Sequence, residues 1–446
     1  MYIKLIQPKM LRRPMDTGIK LHMAPPLGLL TIVNLLRDEN RVELENENIG
    51  RIRYEDTPDI VGISVTVDTL PRAIKIARRF REKGSIVVAG GIHITTAYHL
   101  VPKDAFDVFC VGAAEGTWPQ IIEDFKNSSL KKVYHCERPL TGKDLVSPAY
   151  DFVNKWDYLY CNVVHTSRGC PFKCDFCYNS AKERQFINRE IKDVLADIRA
   201  VHTRHIMFID DNFAGNPKWT RKFLHVIEPM HIKWSAAVSI NAAFDEELLD
   251  LMKRSGCQSL FIGFESINPA SVNGVHKVQN HVKDYERAVK AIHDRGIMIN
   301  ASFVFGLDGD TAETFKTTLD WIVKNRIETV TSHILTPYPG TALYDRMNKE
   351  GRILTKNLSL YNTAHVVYKP KGMTRQELYN GYLKIYKDIY SFKNIIRRCP
   401  KAKEIRPAYF LFNFLYRKYG KFTDSLCRMV TYERIGLLAE KLSGVI

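Results

Sequence analysis

Short apolar runs rich in β-branched residues punctuate the first third of the chain: MYIKLIQP, VELENENIG, DIVGISVTV, SIVVAGG and FDVFCVG. Stretches with helical periodicity, such as LPRAIKIARRFREKG, lie between them. Apolar strands alternating with helices predict a parallel sheet covered on both faces. Residues 1–150 therefore read as a Rossmann-like α/β unit. Glycines fall where its strands end: Gly90 and Gly91 after IVVA, and Gly112 after FDVFCV. Pro25, Pro26, Leu27 and Gly28 form a rigid turn before an apolar helix. Singly, such glycines make tight strand-to-helix turns. Grouped at the carboxyl ends of parallel strands, they mark a place where ligands bind.

The same rhythm resumes over residues 155–345. CNVVHTS, HIMFID, WSAAVS, SLFIGFE, MINASFVFG and TVTSHIL predict six further strands, each followed by a helical pattern. Six βα units predict a partial (βα)6 barrel. Polar residues close most of these strands: Asp210 and Asp211, Ser239 and Asn241, then Glu265 and Ser266. Each alone suits a helix cap or turn. Together they occupy the rim where barrel enzymes carry their chemistry.

Residues 346–446 form a third region. TRQELYNGYLKIYKDIYSFKNIIRR and PAYFLFNFLYRKYGKF read as helices rich in aromatic and basic residues. Charge sharpens this division. The net charge of +16 is uneven: from Lys371 to Ile446 sixteen Lys and Arg face six Asp and Glu, a local excess of ten. An anionic partner belongs at that end. The expected arrangement there is a helical lid with its aromatic face on the barrel and a solvated basic face. Peripheral membrane contact and a nucleic-acid surface are the other two uses of such a stretch.

No apolar run reaches the roughly 18 residues of a membrane span. The N-terminal stretch lacks the features of a signal peptide, and nine cysteines, six of them scattered, do not form a secreted disulfide framework. A cytoplasmic protein is expected. The other three cysteines crowd into SRGCPFKCDFCYN, as Cys170-x3-Cys174-x2-Cys177. Thiolates at this spacing converge on one soft metal centre, zinc or an iron–sulfur cluster. Structural zinc wants four closed ligands. The nearest further donors, Cys161 and His165, belong to the preceding strand. A cubane cluster held by three cysteines keeps one iron open to a ligand, and that is the preferred reading.

This triad, with Phe176 before its last cysteine, resembles the radical S-adenosylmethionine (SAM) superfamily across residues 155–345. The resemblance implies a [4Fe-4S] cluster on Cys170, Cys174 and Cys177, with SAM on the open iron. It places Phe176 near the adenine. Asp210 and Asp211 stand where the family keeps its SAM-amino-group motif, although the usual glycine-glycine-glutamate is absent. Ser239 and Asn241 are implied near the ribose or carboxylate, with Glu265 as a polar contact from the fourth strand.

PPLGLL, VAGGIHIT and VGAAEGTW extend the resemblance to the subgroup with an N-terminal cobalamin-binding domain. It implies cobalamin contacts at Ser64, Thr66, Gly90, Gly91, Ile92, His93, Gly112 and Glu115. The Asp-x-His-x2-Gly motif that supplies histidine to cobalt is missing from residues 1–150, so histidine ligation of cobalt is not expected.

The implied activity is functionalisation of an unactivated carbon in a small-molecule or lipid substrate, by cobalamin-dependent radical methyl transfer. Without cobalamin the same site implies radical coupling, cyclisation or oxidation. An electron donor such as flavodoxin or ferredoxin is implied as partner. A tRNA-modifying enzyme of the same superfamily is the rival. Its second cluster needs three N-terminal cysteines, whereas this chain has Cys110 and Cys136 before Cys161 opens the barrel.

Overall fold

The structure is a computed structural model that describes residues 1–416 apart from 15, 17, 137 and 181–184. The end of the basic C-terminal stretch, from Arg417 onward, lies outside the described residues. Six strands build a first sheet: β1 (Tyr2–Gln7), β2 (Arg41–Asn46), β3 (Ile60–Ser64), β4 (Ile86–Gly90), β5 (Val108–Val111) and β6 (Val133–His135). All pair in parallel, in the order β2-β1-β3-β4-β5-β6. The pleat divides each strand between two cores. Val61, Ile63, Val87 and Ala89 pack with Ala73, Ile76 and Phe80 of the helix Leu70–Arg81. Ile60, Val88 and Val108 pack on the other face with Leu29, Val33 and Trp118. Burial on both faces is why these strands read as continuous apolar runs. The order reverses between β1 and β3, which is the switch point where such sheets open a crevice.

The second sheet uses β7 (Val163–Val164), β10 (His205–Phe208), β11 (Lys233–Val238), β12 (Cys257–Glu265), β13 (Met298–Phe305) and β14 (Thr329–Ile334). They are parallel and lie side by side in chain order, with β7 and β14 at the edges. A short antiparallel pair, β8 (Ser167–Arg168) and β9 (Ile187–Asn188), sits just beyond β7. Alternation on β11 is plain: Trp234, Ala236 and Val238 are buried, whereas Lys233, Ser235 and Ala237 are half-buried. Trp234 packs on Phe208 and Phe213, beneath the helix Pro217–Ile227.

The open edge at β14 is sealed by the C-terminal region. On the helix Arg375–Ile389, opened by a reciprocal Thr374–Glu377 cap, Tyr382 and Tyr386 repeat at helical spacing, and Tyr390 follows at its end. The Tyr390 hydroxyl donates to the Val330 carbonyl at 2.6 Å and accepts from its amide at 3.0 Å. The Tyr386 hydroxyl accepts from the Ser332 amide at 3.1 Å. Unpaired edge groups are thus satisfied by phenols rather than by another strand. The stretch expected as one long helix is two: Ser391 caps a separate helix, Phe392–Arg397, by accepting from the Asn394 amide. No helix among the described residues is long and apolar enough to cross a membrane.

Candidate cofactor site between the two sheets

The cysteine loop follows β8. Its entry is fixed by Asp210, at the end of β10, whose buried carboxylate accepts from the Thr166 amide (2.9 Å) and hydroxyl (3.0 Å) and from the Ser167 amide (2.5 Å) and hydroxyl (2.9 Å). Burial nevertheless pushes this carboxyl up to about 6. The neighbouring Asp211 is exposed and accepts from the Gly169 amide at 3.1 Å. Gly169 has φ +78, and a Cβ there would meet the Gln185 carbonyl oxygen at 2.2 Å, so the turn admits only glycine.

Inside the loop, the Cys177 amide donates to the Cys174 carbonyl at 3.0 Å. Asp175 ties the middle of the loop to two remote segments. Its amide donates to the Val275 carbonyl, and its carbonyl accepts from the Leu343 amide. Its carboxylate meets His276 at 2.8 Å and Arg346 at 3.2 Å. Burial pushes all three cysteine thiols up, Cys177 to about 11. Thiols held this way ionise readily only when a metal supplies the positive charge. Two side-chain amides point at their sulfurs: Asn212 Nδ2 lies 3.9 Å from Cys170 Sγ, and Gln279 Nε2 lies 3.6 Å from Cys174 Sγ.

Glu265 ends β12 with φ +63, in the left-handed region, and its buried carboxylate pairs with Lys277. The Lys277 ammonium also donates to the Gly263 carbonyl at 2.9 Å. A Cβ on Gly263 would lie 2.5 Å from the Glu265 carboxylate, so a glycine makes room for the pair. Phe176 is half-buried against the barrel core. The Ser239 amide donates to Asn212 Oδ1 at 3.2 Å, which brings the ends of β10 and β11 together, while Asn241 is exposed.

Beyond the carboxyl ends of the first sheet lies a cavity of about 430 Å³, within the size range of small-molecule sites. Ser64, Gly90, Gly91, Gly112 and Glu115 line it; Thr66, Ile92 and His93 do not. The Thr66 hydroxyl instead donates to Asp68 at 2.7 Å. His93 is 1% exposed, with neither ring nitrogen partnered among the described residues, and burial lowers its pKa to about 4. The segment around β8 and β9 contributes His165, Arg168, Gln185 and Ile187 to the lining. Arg168, two residues before Cys170, forms a two-pronged ion pair with Glu115, at 2.6 and 2.7 Å. The cysteine loop and the glycine-lined cavity are therefore neighbours across one seam. Sequence reading singled out neither Arg168, Asn212, Lys277 nor Gln279. Asn212 follows the Asp210–Asp211 pair directly; the others carry no local signal.

Comparison with known proteins agrees with this layout. Family models match in three places: the radical SAM superfamily over residues 164–322, the B12 binding domain over residues 22–122, and a domain of unknown function (DUF4070) over residues 341–411. The chain is 29% identical over 435 residues to bacteriochlorophyllide d C-12(1)-methyltransferase of Chlorobaculum tepidum, covering 94% of this chain and 93% of that one. It is 28% identical over 347 residues to hopanoid C-2 methylase of Rhodopseudomonas palustris, covering 74% and 65%. Its fold is that of the radical SAM methyltransferase TsrM from Kitasatospora setae, solved with cobalamin and a [4Fe-4S] cluster bound, at 16% identity, 99% coverage of each chain and a TM-score of 0.67. The cobalamin-dependent SAM radical enzyme OxsB is also similar in fold, at 14% identity, covering 99% of this chain and 78% of that one, with a TM-score of 0.67. The cysteine triad on its barrel rim, the parallel sheet before it and these matches lead to one placement: the chain carries a radical SAM superfamily domain over residues 164–322, preceded by a B12 binding domain over residues 22–122.

Proposed function

We propose that this protein is a cobalamin-dependent radical SAM methyltransferase acting on an unactivated carbon of a small-molecule or lipid substrate. The observation that carries the reading is the seam itself. A three-thiol loop on the barrel rim and a glycine-lined cavity at a switch point face each other across the Arg168–Glu115 pair. The residues present fit both groups. Three thiols, Cys174 buried and Cys170 and Cys177 half-buried, that favour ionisation only beside a metal suit a cluster with one open iron. The cavity is left open at Gly28, where nothing lies within 4 Å of a Cβ placed on it.

Cys170, Cys174 and Cys177 would hold the cluster, and the cavity between Gly28 and Gly112 would receive cobalamin. Bound there, cluster and SAM supply one-electron cleavage that yields a carbon-centred radical, and cobalamin supplies the methyl group. The chain's own task is placement. Asp210 holds the loop entry and Asp175 holds its middle. Glu265 and Lys277 offer one carboxylate and one ammonium at the rim, a complement to the amino-acid end of SAM. An electron donor such as flavodoxin or ferredoxin would feed the cluster. Ile396 and Phe414, 68% and 48% exposed near Lys393 and Arg397, support peripheral membrane contact through the C-terminal region.

The test is anaerobic production of the full chain with corrinoid supplied, followed by iron, sulfide and cobalamin analysis. Four iron, four sulfide and near-stoichiometric cobalamin are the expected result. A replete cluster without cobalamin would overturn the methyl-transfer reading and leave radical coupling, cyclisation or oxidation.

A further inference from the structure

The three cysteine sulfurs are not equivalently supported. Cys170 takes the Phe172 amide and the Asn212 side chain, and Cys177 takes the Asn179 amide. The Phe172 and Asn179 amides lie on the cysteine loop itself, so any fold of that loop carries them along; Asn212 reaches Cys170 from the end of β10 at 3.9 Å. Cys174 is different. Among the described residues its donor is the Gln279 side chain, 105 positions away on the segment after β12. That segment is anchored independently: the Val275 carbonyl accepts from the Asp175 amide, His276 pairs with the Asp175 carboxylate, and Asn280 donates to the Gly263 carbonyl at 2.9 Å. The chain therefore spends a remote, firmly held loop on presenting one amide to one sulfur.

The amide presents its nitrogen to the sulfur: Nε2 lies 3.6 Å from Cys174 Sγ, while the buried Gln279 Oε1 has no partner among the described residues. The opposite orientation would set a carbonyl oxygen against an electron-rich sulfur. We propose that Gln279 is a positioning residue that tunes the cluster's redox poise by donating an N–H···S hydrogen bond to the Cys174 thiolate. The proposal rests on the reading that these cysteines hold a [4Fe-4S] cluster. An N–H donor favours the state with more charge on sulfur, which is the reduced cluster, and so moves its potential upward. Asn212 makes a longer contact of the same kind, but its oxygen also accepts from the Ser239 amide, so it carries a structural duty that Gln279 does not.

The test compares wild type with Gln279→Leu and Gln279→Met, all full-length and reconstituted anaerobically. The midpoint of the cluster is read by dithionite titration under EPR, and nitrogen hyperfine coupling is read by pulsed EPR of the reduced cluster. Both variants are expected to keep wild-type iron and sulfide content, to show a more negative midpoint, and to lose one nitrogen coupling. An unchanged midpoint with the coupling retained would overturn the proposal. So would variants that assemble no cluster, because Gln279 would then serve assembly rather than poise. A wild-type protein without a cluster would instead bring down the reading beneath it, and that failure is recognised in the wild type alone.

Discussion

The two six-stranded parallel sheets are built alike and finished differently. In the first, the ends of β4 and β5 carry Gly90, Gly91 and Gly112, which line the cavity, and what they offer is room. In the second, the ends carry Asp210, Asn212, Glu265 and their partners, and what they offer is contacts to a loop of thiols. One sheet receives a ligand by leaving side chains out, and the other by crowding polar ones in. The difference follows from what each must hold. A wide group needs a cleared floor, whereas a small charged centre needs ionisable ligands and donors aimed at them.

The comparison can be broken at either half. Cys174→Ala carries the largest expected effect: SAM cleavage to 5′-deoxyadenosine should fall below detection, while far-UV circular dichroism and cobalamin content remain those of the wild type. Persistent 5′-deoxyadenosine would remove the cysteine assignment. The converse change is Gly28→Leu. Gly28 lies in the first turn of the helix Leu27–Leu36, lines the cavity and has open space above it. A leucine there should lower cobalamin affinity about tenfold or more, a loss of at least roughly 1.4 kcal/mol. It should leave iron and sulfide unchanged and cost no stability, since glycine is the poorer helix former. Retained cobalamin affinity would show that the cleared floor is not the binding surface.

A smaller effect sharpens the seam between the halves. His93 sits on the helix Ile92–Ala97, where a Cβ on Gly340 would meet the Thr96 carbonyl oxygen at 2.3 Å. Its pKa falls from 6.5 to about 4 by burial. The unfolded chain therefore binds the extra proton first as pH falls. The fold keeps its full stability above about 6.5 and loses it progressively toward 4, by at most roughly 3 kcal/mol. His93→Leu should flatten that slope, as read from urea unfolding midpoints at pH 5 and pH 7.5. An equal slope in the two proteins would mean that His93 is hydrated or charged in the fold.

Much of this architecture can be read along the chain, and the exceptions have physical causes. β1, β3, β4 and β5 announce themselves because both faces are buried and the residues run apolar, whereas the edge strand β2 shows Val42 and Leu44 in alternation with polar residues. β6 does not announce itself, because VYH is three residues long and has no period to detect. β8 and β9, two residues each, are stabilised by pairing across the cysteine loop rather than by their own composition. The thiols were legible because metal ligation demands particular residue types at particular spacings. Gln279 was not: it approaches Cys174 only because β12 carries its following loop to the same rim, which is a property of topology. The break before Phe392 could have been found from Ser391, a good cap placed just after an apolar helical run.

The Arg168–Glu115 pair has a consequence for how the molecule fills. Arg168 lies within the strand that launches the cysteine loop, and Glu115 lies in the wall of the neighbouring cavity, its side chain 3% exposed. A ligand that repositions Glu115 on one side acts on the loop two residues from Cys170 on the other. By linkage the influence runs equally in both directions: whatever free energy one occupant lends to the other is returned in the same amount.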